Sequence, residues 1–210
     1  MEAPMSDAAA ARRKPTQARA LARVERILAA ASELIAETGS DAVKMTEVAE
    51  RAGVPIGSLY QYFPDKAAIL QTLAERFAER VRAGIAESLA GVATRDDALA
   101  RVDRLLEDYY ALFLTEPVVR DIWSGTQSDK KLQELDITDS RANARVVADA
   151  LKHLVPRKER ARFETVCFLT MQLTGAAVRL AIAVDRKEGD RLMAEYRRML
   201  RDEVGGFLAL

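Results

Sequence analysis

Apolar positions recur every three to four residues along nearly the whole chain, and no long stretch alternates as a strand does. The pattern predicts an all-α protein. Leu21, Val24, Ile27, Leu28, Ala31, Leu34 and Ile35 share one stripe of a first helix, which Gly39 stops. Thr46 is the expected N-cap of a short second helix, with Glu47 and Glu50 suiting the positive end of its dipole. Gly53 ends that helix, and Pro55 presets the entry to a third over roughly Ile56 to Phe63. Pro64 and Asp65 break the chain again. A long fourth helix follows, with Leu70, Leu73, Phe77, Val81, Ile85 and Leu89 on its stripe.

The remainder reads as a separate helical domain. A fifth helix places Leu99, Val102, Leu105, Leu106, Tyr109, Leu112 and Phe113 inward, and Glu116-Pro117 opens a short sixth running through Trp123. Polar residues from Ser128 to Asp139 precede a seventh helix ending near Leu154, where Pro156 forces a break. The eighth, roughly Glu159 to Val184, has two apolar stripes. One holds Phe163, Val166, Cys167, Thr170, Thr174, Ala177, Val178 and Ala181, the other Leu169, Leu173, Ala176 and Leu180. A helix apolar on both sides is expected to be covered on both. A last helix, roughly Gly189 to Phe207, carries Leu192, Tyr196, Met199 and Leu200. The expected organisation is a flexible basic N-terminal arm (1–18), a small three-helix domain (19–66) and a larger helical domain (67–210).

The second and third helices carry the chemistry. Helix, glycine turn and second short helix form the device that lays one helix in the major groove of DNA while another braces it. Val48, Ala49 and Ala52 give the bracing helix its apolar face, and Gly53 supplies a residue tolerant of positive φ. Leu59 and Phe63, four apart, anchor the third helix from beneath, so Ser58, Gln61 and Tyr62 are expected to face outward. Gln61 suits an adenine edge, and Tyr62 and Ser58 suit phosphate or base. Lys66 is the expected phosphate clamp, and Thr46 offers a hydroxyl beside free helix-start amides. Tyr60 is divided between core and surface.

Composition adjusts this picture in places. Of 210 residues, 49% are hydrophobic and 30% charged, and formal net charge is zero, so no global basic field points to nucleic acid. The cations are local instead: Arg12, Arg13, Lys14, Arg19, Arg23 and Arg26 stand against Glu25 alone in that stretch. That cluster reads either as a solvated tail or as an arm on phosphates or in a minor groove. A single cysteine, Cys167, excludes an intramolecular disulfide. No apolar run of 18 residues and no secretory core are present, so the cytoplasm is expected and a membrane partner is not. With one histidine and one cysteine, no catalytic triad, metal cluster or cofactor fingerprint emerges, and no enzyme activity or cofactor is expected.

The residues Arg23-x-x-x-Ile-Leu-x-Ala-Ala31, Gly39, Thr46, Val48-Ala49, Ala52-Gly53-Val54, Gly57-Ser58-Leu59-Tyr60-x-Tyr62-Phe63 and Lys66 together resemble the tetracycline-repressor (TetR) family of transcriptional regulators. The resemblance covers about a quarter of the chain. It implies an N-terminal DNA-binding domain of three helices and a C-terminal domain that binds a small molecule and dimerises through its last two helices. It places Thr46, Gly57, Ser58, Tyr60, Gln61, Tyr62 and Lys66 at the DNA surface. One departure is Pro55, where a serine or threonine cap is frequent in that family.

The expected function is thus a ligand-responsive repressor that binds a palindromic operator on double-stranded DNA as a homodimer and is released by an apolar or amphipathic effector. A DNA-organising or interaction protein that keeps the motif without an effector is the alternative. A two-fold dimer doubles the few base contacts of a short recognition helix, and Gly175, Ala176, Ala177 and Ala181 suit close packing of the eighth helix on a partner helix. Tyr109, Phe113, Trp123, Gln127, Met171 and Gln172 are the candidate effector contacts, each with ordinary core packing as its alternative.

Overall fold

A computed structural model describes residues 7–125 and 130–208. Among them every regular element is helical. The chain divides into two compact units, residues 1–73 and 74–210.

In the first unit α1 spans Asp7–Thr38, α2 Met45–Ala52 and α3 Ile56–Tyr62, and α4, Lys66–Leu89, begins. Helix α1 starts well before Leu21, so residues 7–18, expected as a flexible arm, are helical. The alanines at 8–11 are the strongest helix formers there, and their propensity favours the helix. The core gathers Ile27, Leu28, Ala31 and Ile35 from α1, Val48 and Ala49 from α2, Leu59 from α3 and Phe63 just after it. Leu21 lies outside that core and is exposed. Helix α2 begins earlier than expected. Its N-cap is Lys44, whose backbone N–H donates to the Glu47 carboxylate at 3.3 Å, and Thr46 therefore sits inside the first turn rather than at the cap. Gly53 closes α2 in the left-handed region (φ 62°), with Val54 turning back into the core. Pro55 precedes α3 without a side-chain cap, and its carbonyl accepts from Ser58 and Leu59 instead. The Asp65 carboxylate takes the Ala68 N–H at 2.8 Å and starts α4. Ile69 of α4 is buried, so the unit reaches Leu73 rather than stopping at Lys66.

The second unit holds the rest of α4 with α5 (Arg95–Thr115), α6 (Pro117–Gly125), α7 (Lys130–Leu151), a 3-10 turn at Arg157–Glu159, α8 (Arg160–Ala183) and α9 (Arg186–Phe207). Helix α7 takes in the polar stretch from Lys130 that was expected to precede it. Lysine, leucine, glutamine and glutamate at 130–134 favour a helix even though little of that turn is buried. Helices α7, α8 and α9 pack in succession, and α5 packs on α8 and α9. Leu89, Leu99, Leu151, Phe163, Cys167 and Phe207 lie in one core, while Phe77, Phe113 and Trp123 meet edge to face in a second cluster.

Helix α8 is covered on one side only. Phe163, Cys167, Thr170, Val178 and Ala181 are buried, whereas Leu169, Leu173, Ala176, Leu180 and Ala183 lie exposed at spacings of four, three, four and three. By length and composition alone the segment Arg157–Ala183 is apolar enough to cross a bilayer, as core helices can be, although no unbroken apolar run of 18 residues occurs in it. Only 22% of that most apolar window is buried within the chain, so α8 keeps a face for something else to cover.

Candidate nucleic-acid interface and ligand cavity

Helix α3 stands on Leu59, fully buried, with Phe63 beside it. Helical geometry fixes what is left outside. At about 100° per residue, Gly57 and Gln61 lie nearly opposite Leu59, Tyr60 lies to one side, and Tyr62 is only about 60° from the anchor. Accordingly Gly57, Tyr60 and Gln61 are exposed, Tyr60 by 50%, while Ser58 and Tyr62 are half-buried. Tyr60 is therefore the outermost ring of α3 and Tyr62 flanks it, the reverse of the order expected from sequence. A Cβ on Gly57 would meet nothing within 4 Å, so the glycine leaves the α3 backbone open to a close approach.

The other expected contacts divide. Thr46 is exposed in the first turn of α2. Ser58 is held from α1, where Arg23 donates to its hydroxyl at 3.1 Å, and the buried Arg23 Nε has no partner among the described residues. Lys66 is committed more than expected. Its ammonium donates to the carbonyls of Ser40 (2.7 Å) and Asp41 (2.9 Å), tying the α1–α2 loop to the start of α4. One N–H is left for a phosphate. Sequence reasoning passed over Ile56 and Lys44, both exposed beside α3 and α2. Their signal was position alone, one at the start of α3 and one at the cap of α2.

The second unit holds a half-open cavity of about 580 Å³. Helices α4, α5, α7 and α8 supply most of its wall. Phe77, Leu105, Leu112 and Trp123 make apolar parts of it, and Tyr109 and Met171 also line it, as expected. Phe113 is almost fully buried behind the wall, edge-on to Phe77 and Tyr109, and so acts through packing. Gln172 also lies behind it, where its amide donates to Asp136 (3.2 Å to the carboxylate) and Ser140 (2.7 Å). Gln127 lies outside the described residues.

A polar group on this wall had no sequence signal. Arg82 donates to Asp139 at 2.6 Å, and Asn143 Nδ2 donates to the other carboxylate oxygen at 2.9 Å. Burial pushes the Asp139 carboxyl above its ordinary value, against the opposing pull of Arg82 and Asn143. Burial also raises the Tyr109 phenol, with the nearby Asp136 carboxylate adding to the rise, so the hydroxyl stays protonated and able to donate. The Cys167 thiol on the same wall is pushed up to about 12, first by burial and then by Glu164, which removes the thiolate a redox sensor needs. Among the described residues no group of three or more His, Cys, Asp or Glu side chains could hold a metal.

Comparison with known proteins follows the division of the chain. The sequence model described as "Bacterial regulatory proteins, tetR family" matches residues 27–73, and that described as "Tetracyclin repressor-like, C-terminal domain" matches residues 96–204. The HTH-type transcriptional repressor KstR of Rhodococcus jostii is 46% identical over 59 residues, 28% of each chain. The match thus spans less than a third of that relative's length. A solved TetR-family transcriptional regulator from Streptomyces coelicolor is 27% identical, with a TM-score of 0.69 over 89% of this chain and 99% of that one. A TetR transcriptional regulator from Rhodococcus sp. RHA1 is 25% identical, with a TM-score of 0.61 over 87% of this chain and 95% of that one.

Proposed function

Because the chain belongs to the tetracycline-repressor family of bacterial regulatory proteins, we propose that it is a homodimeric transcriptional repressor, released from a palindromic operator by a small molecule. The observation that carries this reading is the outward face of α3, where Gly57, Tyr60 and Gln61 stand clear above the buried Leu59. An exposed glutamine and tyrosine on a short helix that sits on an apolar anchor fit base edges and phosphates in a major groove. Gln61 reads a base, Tyr60 and Tyr62 contact backbone or base, Thr46 takes a phosphate at the start of α2, and Lys66 chiefly holds the loop beside it. The name of the KstR relative supports repression in particular.

The exposed heptad-spaced stripe of α8, with Met199 of α9 also exposed, supports dimerisation through the last two helices. Two protomers related by a two-fold axis present their α3 helices to half-sites about one helical turn apart. The cavity holds the effector. Helix α4 supplies Lys66 to the first unit and Phe77, Val81 and Ile85 to the cavity wall, so an effector that favours a different position of α4 changes how α3 is presented. The protein acts in the cytoplasm, where operators are.

The test is to bind the wild type and Gln61→Ala to a pool of random duplexes and sequence what each retains. The wild type should enrich a two-fold symmetric site, and the variant should lose discrimination at one symmetric pair of positions, by about 1–3 kcal/mol. The same site from both proteins would remove Gln61 from the readout. No enriched site from the wild type would remove the function.

A further inference from the structure

The α7 side of the cavity carries more acid than base. Asp136 and Asp139, three residues apart, lie one turn from each other on one helix face, and both line the cavity. Arg82 answers only the second of them, pairing with Asp139 at 2.6 Å, where Asn143 also donates. Asp136 has no ion-pair partner among the described residues. Its half-buried carboxylate accepts from the neutral Gln172 amide at 3.2 Å and from no other side chain among them. Burial first, and Asp136 after it, work against the Asp139 charge, so the two carboxylates are close enough to repel.

The surrounding charges do not cancel this surplus. Glu116 is taken by Arg80 at 2.7 Å, and Asp108, also on the wall, is exposed. Arg179 of α8 bears on Tyr109 against the field of Asp136 and Asp139, but it stands outside the cavity lining and pairs with no acid among the described residues. A cation entering beside Asp136 offsets its lost hydration by Coulomb attraction and hydrogen bonding, whereas an anion meets two carboxylates. A second acceptor is at hand. Tyr109 lines the same cavity within the field of Asp136, and its hydroxyl forms no hydrogen bond among the described residues. An ammonium has three N–H donors and no acceptor. Two of them match the carboxylate and the phenol oxygen, and the half-open cavity leaves the third to water.

On the reading that this cavity is the effector site, we infer that the effector is an amphipathic cation, whose ammonium docks on Asp136 and Tyr109 and whose apolar body lies along Phe77, Leu105, Leu112 and Trp123.

Trp123 is the single tryptophan of the chain and lies on this wall, so its fluorescence reports occupancy of the full-length protein directly. Three probes of one length separate the possibilities: octylammonium, 1-octanol and octanoate, titrated at pH 7. Octylammonium should bind tightest, and raised salt should weaken it while leaving octanol unchanged. Asp136→Asn, which keeps the shape of the side chain, should weaken octylammonium by about 12-fold, the low end for a hydrogen bond to a charged group. Octanol binding should survive in that variant, which shows its cavity intact. Tyr109→Phe should weaken octylammonium by about 2- to 12-fold, the range of one net hydrogen bond. Asp108→Asn, on the exposed part of the wall, should change little. Tighter binding of octanol or octanoate would overturn the inference while keeping the cavity as an effector site. Equal losses from Asp108→Asn and Asp136→Asn would overturn it too, as a diffuse attraction without a docking point. If none of the three probes perturbs Trp123, the effector site itself is wrong and the inference falls with it.

Discussion

Gly57 is a residue whose two roles make opposite predictions. Inside a helix a glycine is less stable than alanine by about 0.5–1 kcal/mol, and none of the described residues crowds a Cβ at this position. Gly57→Ala should therefore hold or raise the melting temperature while weakening operator binding, because in the proposed interface the new methyl stands where the α3 backbone meets DNA. A variant that gains stability and binds DNA at full strength would show that this side of α3 does not touch it. Glu37 gives a second residue-level prediction. Its carboxylate accepts from Arg51 at 2.9 and 3.0 Å, and that hydrogen bond holds its pKa below the ordinary 4.5. A lowered folded-state pKa stabilises above the unfolded value and is lost as pH falls through the lowered one. Wild type should melt above Glu37→Gln at pH 7, and the gap should shrink below pH 4.5 and close once the pH has fallen past the lowered pKa. A gap that persists there would rule out the ion pair as its cause. At this scale the sequence conveyed the anchors Leu59 and Phe63 and the breaks at Gly53 and Pro64. The relative prominence of Tyr60 and Tyr62 was not visible until α3 had an exact start, since an offset of one residue turns every side chain by about 100°.

At the scale of elements, local pattern revealed helices well and starts poorly. Helices α1 and α7 both begin earlier than apolar periodicity indicated: alanines start α1, and the first turn of α7 is carried by propensity and buries little. One close contact between helices depends on Gly189, where α9 meets α8. A Cβ there would lie 2.3 Å from the Ala181 carbonyl oxygen and 3.0 Å from the Tyr110 hydroxyl. The first of these is backbone and cannot swing aside. Gly189→Ala should destabilise the second unit by about 1–3 kcal/mol, as overpacking does. Gly206→Ala on the same helix, with nothing within 4 Å, should not lower the melting temperature. Equal melting temperatures for the two variants would contradict the close crossing. Nothing in the sequence distinguished these two glycines, because the crowding comes from a chain segment eight residues away on another helix.

For the whole molecule, the proposed dimer links the uncovered stripe of α8 to the partner that would double the base contacts. Leu173 is 47% exposed and Leu180 53%. Burying a leucine fully is worth about 1.5–3 kcal/mol, and each is buried twice in a two-fold interface. Leu173→Glu should sediment as a folded monomer and lose operator affinity, although α8 lies in the unit that does not carry α3. A variant that remains dimeric would place the interface elsewhere. The cavity's polar residues were the least legible part of the chain. Arg82 and Asp139 are 57 positions apart, and no local period brings them together, whereas Tyr109, Trp123 and Met171 could be nominated as soft or polar-tipped groups in the middle of the domain.

The measurement that tests the central claim most directly follows both signals in one cuvette. A labelled duplex of the selected site, saturated with protein, is titrated with whichever of a panel of small apolar and amphipathic molecules perturbs Trp123, the single tryptophan and a residue of the cavity wall, and duplex anisotropy is read beside tryptophan fluorescence. A repressor switched through its cavity must release DNA over the same concentration range in which the cavity fills, because only differential affinity for the two states moves the equilibrium. DNA that stays bound while Trp123 reports full occupancy would contradict the account.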